Sequence, residues 1–150
     1  MIDIEIEDAA WTAALADAET LVRAAAEATL AQEGADDEGV CLLLTNDLAV
    51  QALNAQFRRQ DKPTNVLSFP APTNPERFLG DVALAFETCA REAGDQGKPL
   101  AHHLQHLVAH GVLHLLGYDH MTGAEAQAME GLERHILAGL GIADPYAAPE

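Results

Sequence analysis

Positive charge is scarce in this sequence. Eight Lys and Arg stand against 24 Asp and Glu in 150 residues, a formal net charge of −16. That balance excludes a broad electrostatic track for nucleic acid, which would need many clustered cations. Long apolar runs are missing too. No stretch reaches the ~18 consecutive apolar residues of a membrane span, and the start Met-Ile-Asp-Ile-Glu-Ile-Glu-Asp lacks both the basic opening and the apolar run of a secretory signal. Cysteine is limited to Cys41 and Cys89, 48 residues apart and without CxxC spacing. Both are expected as buried free thiols, as suits a reducing compartment, so a cytoplasmic location is inferred. Aromatics supply only 5% of residues, but 49% are hydrophobic and 21% charged, a balance that excludes disorder and fibrous repeats and leaves one soluble domain of ordinary size.

The pattern along the chain is a β-α-β-α opening. Ile2, Ile4 and Ile6 alternate with acidic residues, the period-two signal of a half-buried strand at a sheet edge. Trp11 to about Glu33 is rich in Ala, Leu and Glu and reads as one helix, ended by Gly34 and the turn around Asp36-Asp37-Glu38-Gly39. Val40 to Leu44 is a short apolar run expected to be buried on both faces, and Asn46-Asp47 can cap a helix that runs to about Phe57. Two more strands are expected at 65–69 and 80–86, separated by Pro70, Pro72 and Pro75 in a surface loop, with a lid as the alternative role for that loop. A helix from Glu87 to about Asp95 ends at Gly97-Lys98-Pro99.

Six of the seven histidines then fall between residues 102 and 120. No proline interrupts 100–116, and at about 100° per residue Leu104, Leu107, Val108, Gly111, Val112 and Leu115 share one arc with Leu100. His103, His106, His110 and His114, spaced by 3, 4 and 4, form a separate stripe beside that arc. His110 and His114 lie one turn apart, so their rings can converge on one ion. Gly117 supplies the positive-φ residue that ends the helix, and His120 can swing back as a third ligand. Three imidazoles with one open position are what a catalytic zinc requires, one ion per chain. His102 and His135 are expected as ordinary surface or satisfied residues. The spacing resembles H-E-x-x-H-x-x-G-x-x-H of the metzincin proteases, but Gly111 stands where those enzymes carry the glutamate that takes the proton from water. The cage matches and the peptidase chemistry does not.

The full stretch from His110 to His120 resembles the signature H-G-x-L-H-L-x-G-Y-D-H of the YbeY family, metal-dependent endoribonucleases of bacterial ribosomal RNA maturation. A second segment, Asp61-Lys62-Pro63-Thr64-Asn65-Val66-Leu67-Ser68-Phe69-Pro70, is similar to the family's D-K-P-T-[DN]-V-L-S-F-P, and Gly80-Asp81 fits its G-D strand start. The motif resemblance spans roughly residues 40 to 146; the first 39 residues match only in element order. Phe57 replaces a tyrosine of the family pattern, and Arg59-Gln60 stands where many relatives carry Gly-Lys.

The resemblance implies an α+β fold: a mixed, mostly parallel four-stranded sheet with helices packed around it, in a single domain over 1–150. It implies one zinc on His110, His114 and His120, and a role in maturing the 3′ end of 16S rRNA and in ribosome quality control. Single-stranded rRNA would be the substrate, with the small ribosomal subunit or assembly factors as partners and no DNA or membrane. By position Arg58 corresponds to the family arginine and is the expected phosphate clamp; catalytic roles fall to Arg58 and His114. Arg59, Lys62 and His106 are further candidate substrate contacts. Residues 58–77 hold Arg58, Arg59, Lys62 and Arg77 against Asp61 and Glu76, a net +2, whereas residues 1–49 carry Arg23 against twelve acidic residues. An anionic substrate would therefore meet a few phosphate contacts. The proton acceptor stays open among hydroxide at the zinc, His106 and substrate phosphate. Asp119 is equally suited to orienting a ligand and to capping a helix end. Thr122 and Glu125 form a capping box for a last helix that buries Met129, Leu132, Ile136 and Leu140. Two other readings remain at this point: a ribosome-assembly factor whose zinc only holds the cleft, and a zinc peptidase.

Overall fold

A computed structural model describes residues 1–58, 64–119 and 121–146, leaving aside the side chain of Arg58. Alternating isoleucines form β1 (Ile2–Ile6), and the apolar run forms β2 (Gly39–Thr45). Between them lie α1 (Ala10–Ala14) and α2 (Ala18–Gln32). Helix α3 (Asp47–Arg58) follows, then β3 (Val66–Pro70), β4 (Phe78–Ala85), α4 (Phe86–Gln96), α5 (Leu100–Leu115) and α6 (Gly123–Gly139). The sheet order is β1-β2-β4-β3, with β1, β2 and β4 parallel and β3 antiparallel to β4. The expected mixed, mostly parallel α+β architecture is present, with β1 at an edge. No helix among the described residues is long and apolar enough to cross a membrane.

One face of the sheet carries the main core. Val40, Leu42, Leu44, Val82 and Leu84 meet Val22, Ala26 and Leu30 of α2 and Leu104, Val108 and Val112 of α5. The other face is covered only in part, where Val50 of α3 packs on Leu67, Ala83 and Ala85. For this reason β2 is not buried on both faces as its apolar run suggested: Cys41 and Leu43 are half-buried while Val40, Leu42 and Leu44 are inaccessible.

The helix expected over 11–33 is broken in two. Leu15 adopts an extended conformation (φ −134°, ψ 98°). Trp11 explains the break, because it is fully buried, donates its indole N–H to Thr45 O at 2.8 Å and meets the edge of Phe86 at 5.0 Å. Helix α1 is thereby tied to the end of β2, while α2 must lie along the sheet face. A straight helix over that range, roughly 34 Å long, could not satisfy both.

Caps and loops follow the residue types. Asn46 Oδ1 accepts from Ala49 N–H at 2.8 Å at the start of α3, and Thr122 Oγ1 accepts from Glu125 N–H at 3.1 Å at the start of α6. Met129 and Ile136 are buried in α6 against Ala109 and Leu113 of α5. Between β3 and β4, Asn74 Oδ1 accepts from Phe78 N–H at 2.9 Å and its amide donates to Phe78 O at 2.9 Å, which holds the proline loop in shape. Cys89 is buried and Cys41 half-buried, both as free thiols.

Candidate metal centre

Helix α5 sits very close to the sheet, and Gly111 permits the approach. A Cβ at this position would lie 2.6 Å from Val82 Cγ1 of β4 and 3.3 Å from Ser68 Oγ of β3. Ser68 also donates its hydroxyl proton to Gly111 O at 3.0 Å. Position 111 is therefore a packing contact with the sheet. The residue that is glutamate in the metzincins here has no room for any side chain, which removes that route to a peptidase base.

With Gly111 against the sheet, His110 and His114 fall at the helix edge beside β3. Their Nε2 atoms are 3.1 Å apart, and their rings meet edge to face with centroids 4.6 Å apart. Both line a cleft of about 710 Å³ whose other wall includes Asn54 of α3 and Thr64, Asn65 and Ser68 around β3. The cleft lies at the C-terminal end of α5, where the helix dipole places partial negative charge and favours a cation. Gly117 ends the helix at φ +104°, with Gly117 N–H donating to His114 O and Tyr118 N–H to Leu113 O, both at 3.1 Å. This is the Schellman pattern. Tyr118 then packs beside Leu113 and donates its phenol proton to Glu33 Oε1 at 2.5 Å, so the turn that leads to residue 120 is fastened to α2. Asp119 lines the cleft at its exposed rim.

The donor set fits a divalent ion. Two nitrogens bound at about 2.0 Å in tetrahedral geometry would be separated by about 3.3 Å, close to the 3.1 Å found between His110 and His114. Among the described residues no group of three metal-ligating side chains is gathered. The expected third ligand, His120, lies outside the described residues, as do Arg59, Lys62 and the side chain of Arg58. Arg77, counted above with the basic segment, is engaged elsewhere: its guanidinium pairs with Asp37 and also with Glu38 at 3.6 Å.

His106 is set on the far side of His110, in a neighbouring cavity of about 770 Å³ that shares Asn65, Val66 and His110 with the cleft. Its Nε2 lies 2.5 Å from Glu133 Oε1. Glu133, on α6, is fully buried; its Oε2 is 3.3 Å from His110 Nδ1, and Tyr146 donates its phenol proton to Oε1 at 2.7 Å. Burial works to raise the Glu133 pKa, but the hydrogen bonds from His106, His110 and Tyr146 outweigh it and hold the carboxyl at about 2. Burial, joined by that carboxylate, pushes the Tyr146 phenol well above its ordinary range. His103 is buried and lies 2.9 Å from Glu92 Oε1, which also accepts from Asn65 Nδ2 at 2.9 Å; burial lowers the His103 pKa. Glu133 and Tyr146 were not among the expected site residues. A signal for Glu133 does exist, since it stands four residues after Met129 and three before Ile136, on the face of α6 otherwise given to the core.

A family profile described as Endoribonuclease YbeY matches residues 3–141, reaching well into the segment where the motifs gave only element order. An endoribonuclease YbeY of Rhodopseudomonas palustris strain BisB18 is 55% identical over 141 residues, covering 88% of this chain and 84% of its own. The protein of the same name from Nitrobacter winogradskyi is 53% identical over 134 residues, covering 84% of this chain and 70% of its own. The solution structure of a Thermotoga maritima protein superposes with a TM-score of 0.60 at 25% identity, over 99% of this chain and 100% of that one.

Proposed function

Because the chain belongs to the endoribonuclease YbeY family, we propose that it is a zinc-dependent endoribonuclease that cuts single-stranded rRNA at the His110–His114 cleft. Its setting is 16S rRNA 3′-end maturation and ribosome quality control in the cytoplasm, with the small subunit or its assembly factors as partners. The observation that carries the metal part of this reading is the pair of imidazole nitrogens 3.1 Å apart at the C-terminal end of α5. His110, His114 and His120 would hold one zinc ion. A zinc ion held there supplies Lewis acidity toward a phosphoryl oxygen and activates water near neutral pH.

The chain's own residues account for binding and charge. Asn54 lines the cleft from α3, and position 58 lies one turn further along the same face of that helix. The Arg58 guanidinium can grip two phosphate oxygens and neutralise the charge that grows on them as phosphorus becomes five-coordinate. Arg59 and Lys62 add contacts to flanking phosphates. With three cations engaged, log affinity for single-stranded RNA should fall with log salt at a slope of about −2. His106 meets substrate only through the neighbouring cavity.

The test is cleavage of a single-stranded rRNA fragment by protein as purified, chelated, and resupplied with zinc. Activity should vanish on chelation and return with the ion, and Arg58→Ala should lower kcat by about 100-fold while zinc content stays at the parental level. Undiminished cleavage by the chelated protein would refute the metal-dependent reading.

A further inference from the structure

The buried carboxylate behind the histidine pair has no role in the reading above. We infer that Glu133 is a positioning residue for the metal pair: it fixes the ring of His110 and places that ring's proton on Nδ1, so that Nε2 faces the cleft as a lone pair. The inference rests on the metal-dependent reading.

A carboxylate accepts hydrogen bonds and cannot donate them. Glu133 is wholly enclosed and faces His106, His110 and Tyr146, so each contact requires the proton to sit on the partner. For His110 the atom facing Glu133 is Nδ1 at 3.3 Å, and the atom facing His114 is Nε2 at 3.1 Å. The ring is thus held at both ends, and the proton on Nδ1 leaves Nε2 basic. Metal-binding histidines commonly depend on an outer carboxylate of this kind. Here the carboxylate is itself braced. Tyr146, which donates to it, has Arg134 over its ring at 5.2 Å. Arg134 is joined to Asp144, and Lys98 Nζ donates to Pro145 O at 2.8 Å. The segment after α6 therefore fastens Tyr146 against Glu133, and Glu133 against His110.

The experiment compares the wild-type chain with Glu133→Gln and His114→Ala in zinc competition against a chromophoric chelator. Alongside it, ¹⁵N NMR of the chelated protein at about pH 8, where imidazole is neutral, reads which ring nitrogen of His110 carries the proton. Glu133→Gln should bind zinc about 10–100-fold more weakly, less severely than His114→Ala, and its His110 should lose the Nδ1–H form that the wild type holds. Equal zinc affinity in Glu133→Gln and wild type, with the wild type binding zinc, overturns the positioning role and leaves the metal centre standing. A wild type that takes up no zinc overturns both. Should Glu133→Gln fail to fold, the wild-type spectrum decides: an Nε2–H form of His110 overturns the inference, and the Nδ1–H form upholds it.

Discussion

His110 and His114 bring their Nε2 atoms to 3.1 Å of each other across one turn of α5. Two polar nitrogens held that close at a cleft wall are suited to sharing one partner between them, and a cation at the end of a helix is favoured by the terminal carbonyls. Removing either ring leaves the other without its counterpart. His114→Ala should therefore lower zinc affinity by at least about 100-fold, more than loss of an outer carboxylate costs, and should reduce RNA cleavage in parallel. Chelator competition and a gel assay measure the two. A variant that binds zinc and cleaves RNA as the parent does would sink the assignment.

Gly111 tests the packing that delivers this pair. A methyl group there would lie 2.6 Å from Val82 Cγ1, inside van der Waals contact, so α5 must shift away from β4 or Val82 must move. Overpacking of this kind costs about 1–3 kcal/mol, which for a chain of this size lowers the melting temperature by roughly 3–10 °C. Gly111→Ala should show that loss in thermal denaturation. Pairing it with Val82→Ala should yield a double variant more stable than the sum of the two single losses, since the second change opens the space the first one needs. Strict additivity would mean that the contact is not what limits the approach.

Most of the fold was legible because each element carries its own local cause. The alternating isoleucines of β1, the Asn46 and Thr122 caps and the positive φ of Gly117 need only their neighbours in sequence to be read. The break at Leu15 was hidden because it is imposed from far away, by a Trp11 hydrogen bond to Thr45 O across 34 positions. Cys41 and Leu43 were misjudged for a similar reason, as an apolar run cannot tell how much of the second sheet face α3 will cover. In the site, spacing alone brought His110 and His114 together. It also put His106 on the same stripe, but the stripe is wide enough for His110 to separate two cavities. Glu133 was missed because its partners come from another helix and from the segment after α6, and a glutamate in an amphipathic helix is ordinarily solvated.

The two thiols should react very differently from a free cysteine. Burial, with Asp81, Glu5 and Asp3 nearby, pushes the Cys41 thiol from 9.0 up to about 11. Two pKa units reduce its thiolate fraction at about pH 8, and so its alkylation rate, by about 100-fold. Cys89 is fully buried, and burial also raises its pKa, so it should resist labelling until the chain unfolds. Because the folded-state value of Cys41 lies above the unfolded one, its contribution to stability is complete below pH 9.0 and is lost as pH rises toward about 11. Iodoacetamide labelling with and without denaturant, read by mass, checks both sites. Prompt labelling of native Cys89 would contradict its burial.

Trp11 offers a test of stability that should leave the His110–His114 pair alone. It is the only tryptophan in the chain and has no exposed surface. Its ring meets Phe86, and its indole N–H satisfies Thr45 O at 2.8 Å at the end of β2, just before α3 begins. Trp11→Phe removes that donor and part of the ring volume, for a cost of about 2–4 kcal/mol. Trp11 shares the main core with the apolar face of α5, but its ring and hydrogen-bond partners, Phe86 and Thr45 O, lie on other elements than the helix edge that carries His110 and His114. The melting temperature should therefore fall by roughly 5–15 °C while zinc affinity at low temperature keeps its wild-type value. In the wild type, the single indole should emit at short wavelength when folded and shift to the red in one step with unfolding. A variant that melts normally would mean Trp11 does not anchor α1, and one that stays folded but loses zinc would mean the anchor and the centre are coupled.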